Sequence, residues 1–260
     1  MASNAAPQGE ERKVRRVMGV AIDGAPIVYV VIWAAVIVAL SFVIIPVSVV
    51  LGVGKAFPMS QAVYPLVGIV LGPWAGAVAA VVGRLIGLAF APLTATGPFS
   101  PLVGLVVAAA GGILVEKRGS KWLLALGVFA AAFVAYIGLG MSRGISLGLA
   151  LRSTWVNWVG VLLWILPTRR LARDWIASPD PTRLLAGLVL GCWIVNTSCY
   201  IVANALFYPI TPWTAPQWEL LAVLSPAEHL IRTIVGSTLG LGVILGLRAI
   251  GLVRPTKAGY

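Results

Sequence analysis

The chain alternates long apolar runs with short polar breaks, and the breaks hold almost all of its charge. Runs near 18 residues or longer are what a helix needs to cross the hydrocarbon of a bilayer. The pattern predicts eight such helices. They are Ala25–Val53 with Pro46 as a kink, two short spans within 60–92, Pro101–Val115, Trp122–Met141, Ser153–Pro167, Leu184–Tyr208 and Pro226–Leu252. One run, Ser60–Pro92, is interrupted only at Gly72-Pro73-Trp74. Proline lacks a backbone donor and restricts the residue before it, so one helix should end near Leu71 and the next begin near Pro73. Glycines at 68, 72, 76, 83 and 87 let these two helices pack closely, giving a tight hairpin. The expected fold is a single all-α polytopic domain over residues 18–253, between polar tails at 1–17 and 254–260. Two polar interior stretches read as a linker, Thr168–Arg183, and as a Pro- and Trp-rich surface loop at 209–224.

Composition agrees: 60% of residues are hydrophobic and only 10% charged, with a mean hydropathy of +0.98. A soluble domain of this length is excluded. The N-terminus lacks the short apolar core and cleavage site of a secretory signal, so none is expected. A net charge of +11 evokes nucleic acid until its distribution is considered. With an eight-span reading and the N-terminus inside, inner segments carry 14 Lys and Arg, from Arg12 to Lys257. Outer segments carry four, Lys55, Arg143, Arg152 and Arg232, while Arg84 lies within a span. That asymmetry places both termini in the cytoplasm, with the lipid bilayer and not nucleic acid as the basic residues' partner. Cys192 and Cys199 are seven apart on one helix, about 10 Å, too far for a disulfide.

Little in the chain carries catalytic chemistry. His229 is the sole histidine and no P-loop or dinucleotide fingerprint occurs. No metal, cofactor or enzymatic activity is therefore expected. The polar residues inside the apolar runs converge toward the outer side. Glu228 and Arg232, four apart, share a helix face with His229 beside them. Ser225-Pro226-Ala227-Glu228 also reads as a capping box, which alone would account for Glu228 but not for His229 or Arg232. Asn196, Tyr200 and Asn204 form a stripe at steps of four, fit either for interhelical hydrogen bonds or for a ligand. Trp155, Asn157 and Trp158 lie near the outer end of their span, as interfacial anchors or as a pocket wall. Arg84 either pairs with a carbonyl, snorkels, or meets a ligand. Together these residues point to one outward-facing pocket for a small polar or anionic solute.

The segment PLVGIVLGPWAGAVAAVVGRLIG resembles the second and third helices of the substrate-binding S components of energy-coupling factor (ECF) vitamin transporters. PFSPLVGLVVAAAGGILVEKRGSKW, from Pro98 to Trp122, is similar to that family's short fourth helix and basic turn. Ala35 and Ala39 match the family's Ala-x-x-x-Ala pattern for contact with the coupling subunit. The resemblance covers roughly residues 26–121 and, more weakly, the last span. It implies capture of a vitamin or precursor, with a transmembrane coupling subunit and ATPase subunits as partners. By position, Gly54–Gln61 would be a lid, and Asn196, Tyr200, Asn204, Glu228, His229 and Arg232 pocket residues. The family has six helices, so two of the eight expected here, between Trp122 and Tyr208, have no counterpart. An N-terminus without histidine argues against a metal-specific member. Two other readings stand: a scaffold subunit packed through pairs such as Gly187/Gly191 and Gly236/Gly240, and a lipid-acting enzyme using His229 and Glu228.

Overall fold

The computed structural model describes residues 20–47, 55–94, 97–117, 119–250 and 254–260. The expected tail at 1–17, the end of the first expected span, Gly54 of the expected lid and residues 251–253 lie outside them. Among the described residues there are ten α-helices: α1 (Ile27–Leu40), α2 (Tyr64–Leu71), α3 (Pro73–Phe90), α4 (Ser100–Val115), α5 (Lys121–Ser142), α6 (Leu147–Ser153), α7 (Trp155–Ile165), α8 (Thr168–Ile176), α9 (Pro181–Phe207) and α10 (Ala215–Ala249). A two-residue antiparallel pair, β1 (Ala21–Ile22) with β2 (Ala25–Pro26), precedes α1. Helices α3, α5, α9 and α10 are long and apolar enough to cross a membrane, and α1, α4 and α7 are shorter apolar helices. This is the architecture of a helical membrane protein.

The hairpin forms where proline and glycine require it. Gly72, at φ 92°, ends α2, and Pro73 opens α3 as its first helical residue. Side chains there would block the packing: a Cβ on Gly76 would sit 2.8 Å from the Gly68 Cα, and one on Gly68 would run into the Ala108 carbonyl of α4.

Four expectations change. The first helix stops at Leu40, before Pro46, so that proline kinks nothing. Its continuation turns its backbone toward a neighbour instead: Ile45 N–H donates to Phe57 C=O at 2.9 Å and Met59 N–H to Val43 C=O at 2.7 Å. The expected span Ser153–Pro167 is not one helix starting at Ser153, because α6 and α7 meet at Thr154, whose Oγ1 donates back to Ala150 C=O at 2.9 Å. Such back-bonding favours a bend. The expected linker is largely the amphipathic helix α8, which buries Ala172 and Ile176 and turns Arg170 to the surface. Gly187 and Gly191 of α9 leave room for Trp175 and Ile176.

The largest difference concerns α10. It runs 35 residues, about 52 Å at 1.5 Å per residue, and begins at a capping box made by Thr214 and Gln217. Pro226 therefore lies inside a helix and does not start one. Proline's missing N–H leaves the Ala222 carbonyl without its helical donor, and Trp155 Nε1 of α7 donates to it at 2.8 Å. The Ser225–Glu228 capping reading is thus corrected: Glu228 sits in mid-helix and caps nothing.

Helix ends collect on two faces. On one, Gly259 N–H donates to Ile69 C=O at 2.9 Å, Thr256 N–H reaches Gly24 C=O at 3.4 Å, and Arg248 donates to Ser178 and Ile176 carbonyls at 2.8 and 3.1 Å. On the other, Lys55 Nζ donates to Pro92 C=O at 3.1 Å and Arg143 Nη1 to Tyr208 C=O at 2.9 Å. Arg152 pairs there with Glu219 at 3.5 Å.

Candidate functional site

Where α9 lies along α10, the sequence places ionisable groups on both facing sides. Four residues make one turn of an α-helix and a little more, so Glu228 and Arg232 of α10 stand one above the other. Arg232 Nη2 is 3.4 Å from Glu228 Oε2, and the Tyr200 hydroxyl of α9 donates to the same oxygen at 3.1 Å. Arg232 Nη1 lies 3.4 Å from His229 Nδ1. A guanidinium only donates, so Nδ1 accepts and the imidazole is neutral with its proton on Nε2. The ring of Tyr200 stands edge-on to His229 at 4.7 Å, and Trp193 does so at 6.5 Å. Above the charges, Phe57 and Tyr200 present ring faces to the Arg232 guanidinium at 5.1 and 4.9 Å. Cation–π contact and a carboxylate thus hold a charge that would otherwise be costly to bury. Phe57, Tyr200, Glu228, His229 and Arg232 are all buried.

Beside this cluster lies a cavity of about 10 Å³, close to the smallest that accommodates a single water molecule. Gln61, Tyr64, Asn196, Tyr200 and Arg232 form its polar walls, and Val103 and Val107 of α4 its apolar one. Two of those walls carry buried donors with no hydrogen-bond partner, Asn196 Nδ2 and Arg232 Nε. His229 Nε2 and Thr233 Oγ1, on the same stretch of α10, are also unpartnered.

Arg84 heads a second, adjoining polar centre. It is fully buried on α3, its Nε donates to Ser100 Oγ at 3.0 Å and its Nη2 to the Thr94 carbonyl. Its Nη1 has no partner. Thr94 Oγ1 donates to Ser41 C=O at 2.7 Å, and Ser41, Ser60 and Tyr64 continue the chain of hydroxyls at 3.4 and 3.5 Å. Tyr64 lies within electrostatic reach of both Arg84 and Arg232. Glu228 is the one carboxylate among these groups, and it pairs with Arg232, while Arg84 is held by Ser100 and Thr94.

The other residues singled out from the sequence lie elsewhere. Asn157 is buried on α7, donating to Thr197 C=O of α9 at 2.8 Å, which ties two helices together. Trp158 stacks on Phe133 of α5 at 4.0 Å and donates to Thr154 Oγ1 at 3.1 Å. Asn204 is buried one turn beyond Tyr200 and forms no part of the cavity wall. Ala35 and Ala39 are exposed on α1, lining an apolar groove between α1 and α3. Gly236 and Gly240 are packed against Ala62, Leu66 and Leu188, inside the chain. Tyr64, Ser100, Thr94 and Ser41 went unnoticed in the sequence. A tyrosine opening an otherwise apolar helix is the only signal that pointed to one of them.

Among the described residues no group of three His, Cys, Asp or Glu side chains could hold a metal ion, and both cysteines are buried free thiols. Compared with protein-family models, curated proteins and solved structures, the chain has no match. Its chemistry is therefore read from the geometry alone: a buried cluster rich in N–H donors and aromatic faces around one carboxylate.

Proposed function

We propose that this protein captures a small polar solute from the outer side of a prokaryotic cytoplasmic membrane, as an S-component-like subunit of an ATP-driven uptake system. The observation that carries the reading is the pair of partnerless buried donors, Asn196 Nδ2 and Arg232 Nε, on the wall of one cavity beside the Phe57–Arg232 contact. Buried donors left unpaired cost free energy in the empty protein, and a solute that accepts from them recovers it. The cavity has room only for water, so entry requires the segment carrying Phe57 and Gln61 to move. That segment is held by backbone bonds to residues 43–45 and 93, as a lid over the site would be.

The two faces of helix ends support a path of eight crossings with both ends on the basic side, α2 and α3 forming the short hairpin and α6 with α7 a single broken crossing. The groove beside Ala35 and Ala39 is where a transmembrane coupling subunit would dock, with ATPase subunits beneath it. A scaffold role is less well supported, since the glycine pairs that would serve it are occupied by packing within the chain.

Native mass spectrometry of the protein, gently extracted from its host membrane, tests the proposal. A bound small molecule and partners of ATPase size are expected. Association only with an assembly lacking ATPases, and no bound solute, would overturn it.

A further inference from the structure

We infer that the captured solute carries an oxyanion, of carboxylate type, which seats against Arg232 and Asn196. The inference deepens the solute-capture reading and rests on it. Three observations converge. Two buried groups of the cavity wall stand without a hydrogen-bond partner, Asn196 Nδ2 and Arg232 Nε, and both are N–H donors. A solute matching them brings acceptors. The second observation is charge. Arg84 and Arg232 are both buried, and among the described residues the only carboxylate paired with either is Glu228, at 3.4 Å from Arg232. One positive charge is left over in a region of low dielectric, where an anion is favoured and a cation excluded. The third is shape. Arg232 gives its Nη atoms to Glu228 and His229, while its Nε is unpartnered and the residue lines the cavity, so a carboxylate can bind at Nε without breaking the existing pair. Opposite the donors stand Val103 and Val107, against which only an apolar body fits well. The solute is thus an organic acid with its charge at one end.

The test uses the full chain in lipid nanodiscs, dialysed free of solute. Thermal unfolding is followed while acetate and benzoate are titrated against acetamide and benzamide, which match them in size and lack the charge. Saturable stabilisation by an acid, at least tenfold tighter than by its amide, is expected. Asn196→Asp places a carboxylate in the site from within. It should raise the melting temperature of the empty protein and weaken acid binding at least tenfold. Asn196→Leu removes a donor that has no partner, so it should fold normally and also bind acids more weakly. Amides binding as tightly as acids, no stabilisation by either acid, or unchanged acid binding in both variants overturns the inference. ATPase partners found together with such a failure leave solute capture standing. Acid binding without such partners removes the uptake role and keeps the anion site.

Discussion

Helices α2 to α4 and helix α5 are equally rich in small residues, yet they pack by opposite means. In α2 to α4, glycines 68, 76, 83, 87, 111 and 112 all face neighbouring atoms so closely that a Cβ would collide, mostly with backbone. In α5, Gly127 and Gly138 meet nothing within 4 Å. That helix is fastened by aromatic side chains at steps of four and three. Phe129 meets Trp164 at 5.5 Å, Phe133 stacks on Trp158 at 4.0 Å, and Tyr136 stacks on Trp218 at 4.5 Å. Glycine therefore marks backbone contact in one region, while in the other two glycines face outward and the third, Gly140, makes room for the Trp218 ring. Close backbone approach gains dispersion over a whole helix face, while large rings bridge helices that stay farther apart. The candidate site borders the glycine-packed region, where a rigid α4 presents Val103 and Val107 to it.

The strongest way to break this contrast is Trp164→Ala. The indole is fully buried and donates to Trp122 C=O at 3.2 Å. Its loss should cost about 3–5 kcal/mol in SDS-titrated unfolding. A smaller cost would mean that α5 is not held by its rings. Gly112→Ala comes next, because the new methyl meets the Pro73 backbone, and about 1–3 kcal/mol of destabilisation is expected in the same assay. Trp155→Phe keeps the ring but leaves the Ala222 carbonyl at Pro226 without its donor. A loss of about 1 kcal/mol is expected, with no change in acid binding by the nanodisc assay. Gly138→Ala should go the other way, raising stability by about 0.5–1 kcal/mol through helix propensity alone. Destabilisation there would place a neighbour where the structure has none and falsify the contrast.

Much of the candidate site was legible before any coordinates. Glu228, His229 and Arg232 stand out because ionisable groups are rare within apolar runs, and Tyr200 and Asn196 because they share one face at steps of four. Asn157 and Trp158 looked equivalent to them in the sequence, since depth along a span says nothing of which way a helix is turned. Phe57 was visible only as part of a lid stretch. Its role over Arg232 depends on a backbone pairing between residues 43–45 and 57–59 that no local pattern records.

The division follows from the range of the forces involved. The sequence alone determined what is local or compositional: an apolar helical protein, a hairpin broken at Gly72-Pro73, free cysteines and basic clusters at helix ends. Each follows from the chemistry of a residue and its near neighbours. Only the tertiary structure decided that Pro226 lies inside one long helix, because the carbonyl it leaves open is satisfied by Trp155, 67 residues away in the chain. It also decided that the polar linker folds as α8 against the glycines of α9. It further brought Arg84 and Arg232, from α3 and α10, to either side of one tyrosine's electrostatic reach. Such pairings depend on which surfaces meet, and burial makes them matter by removing the water that would otherwise have served every donor equally.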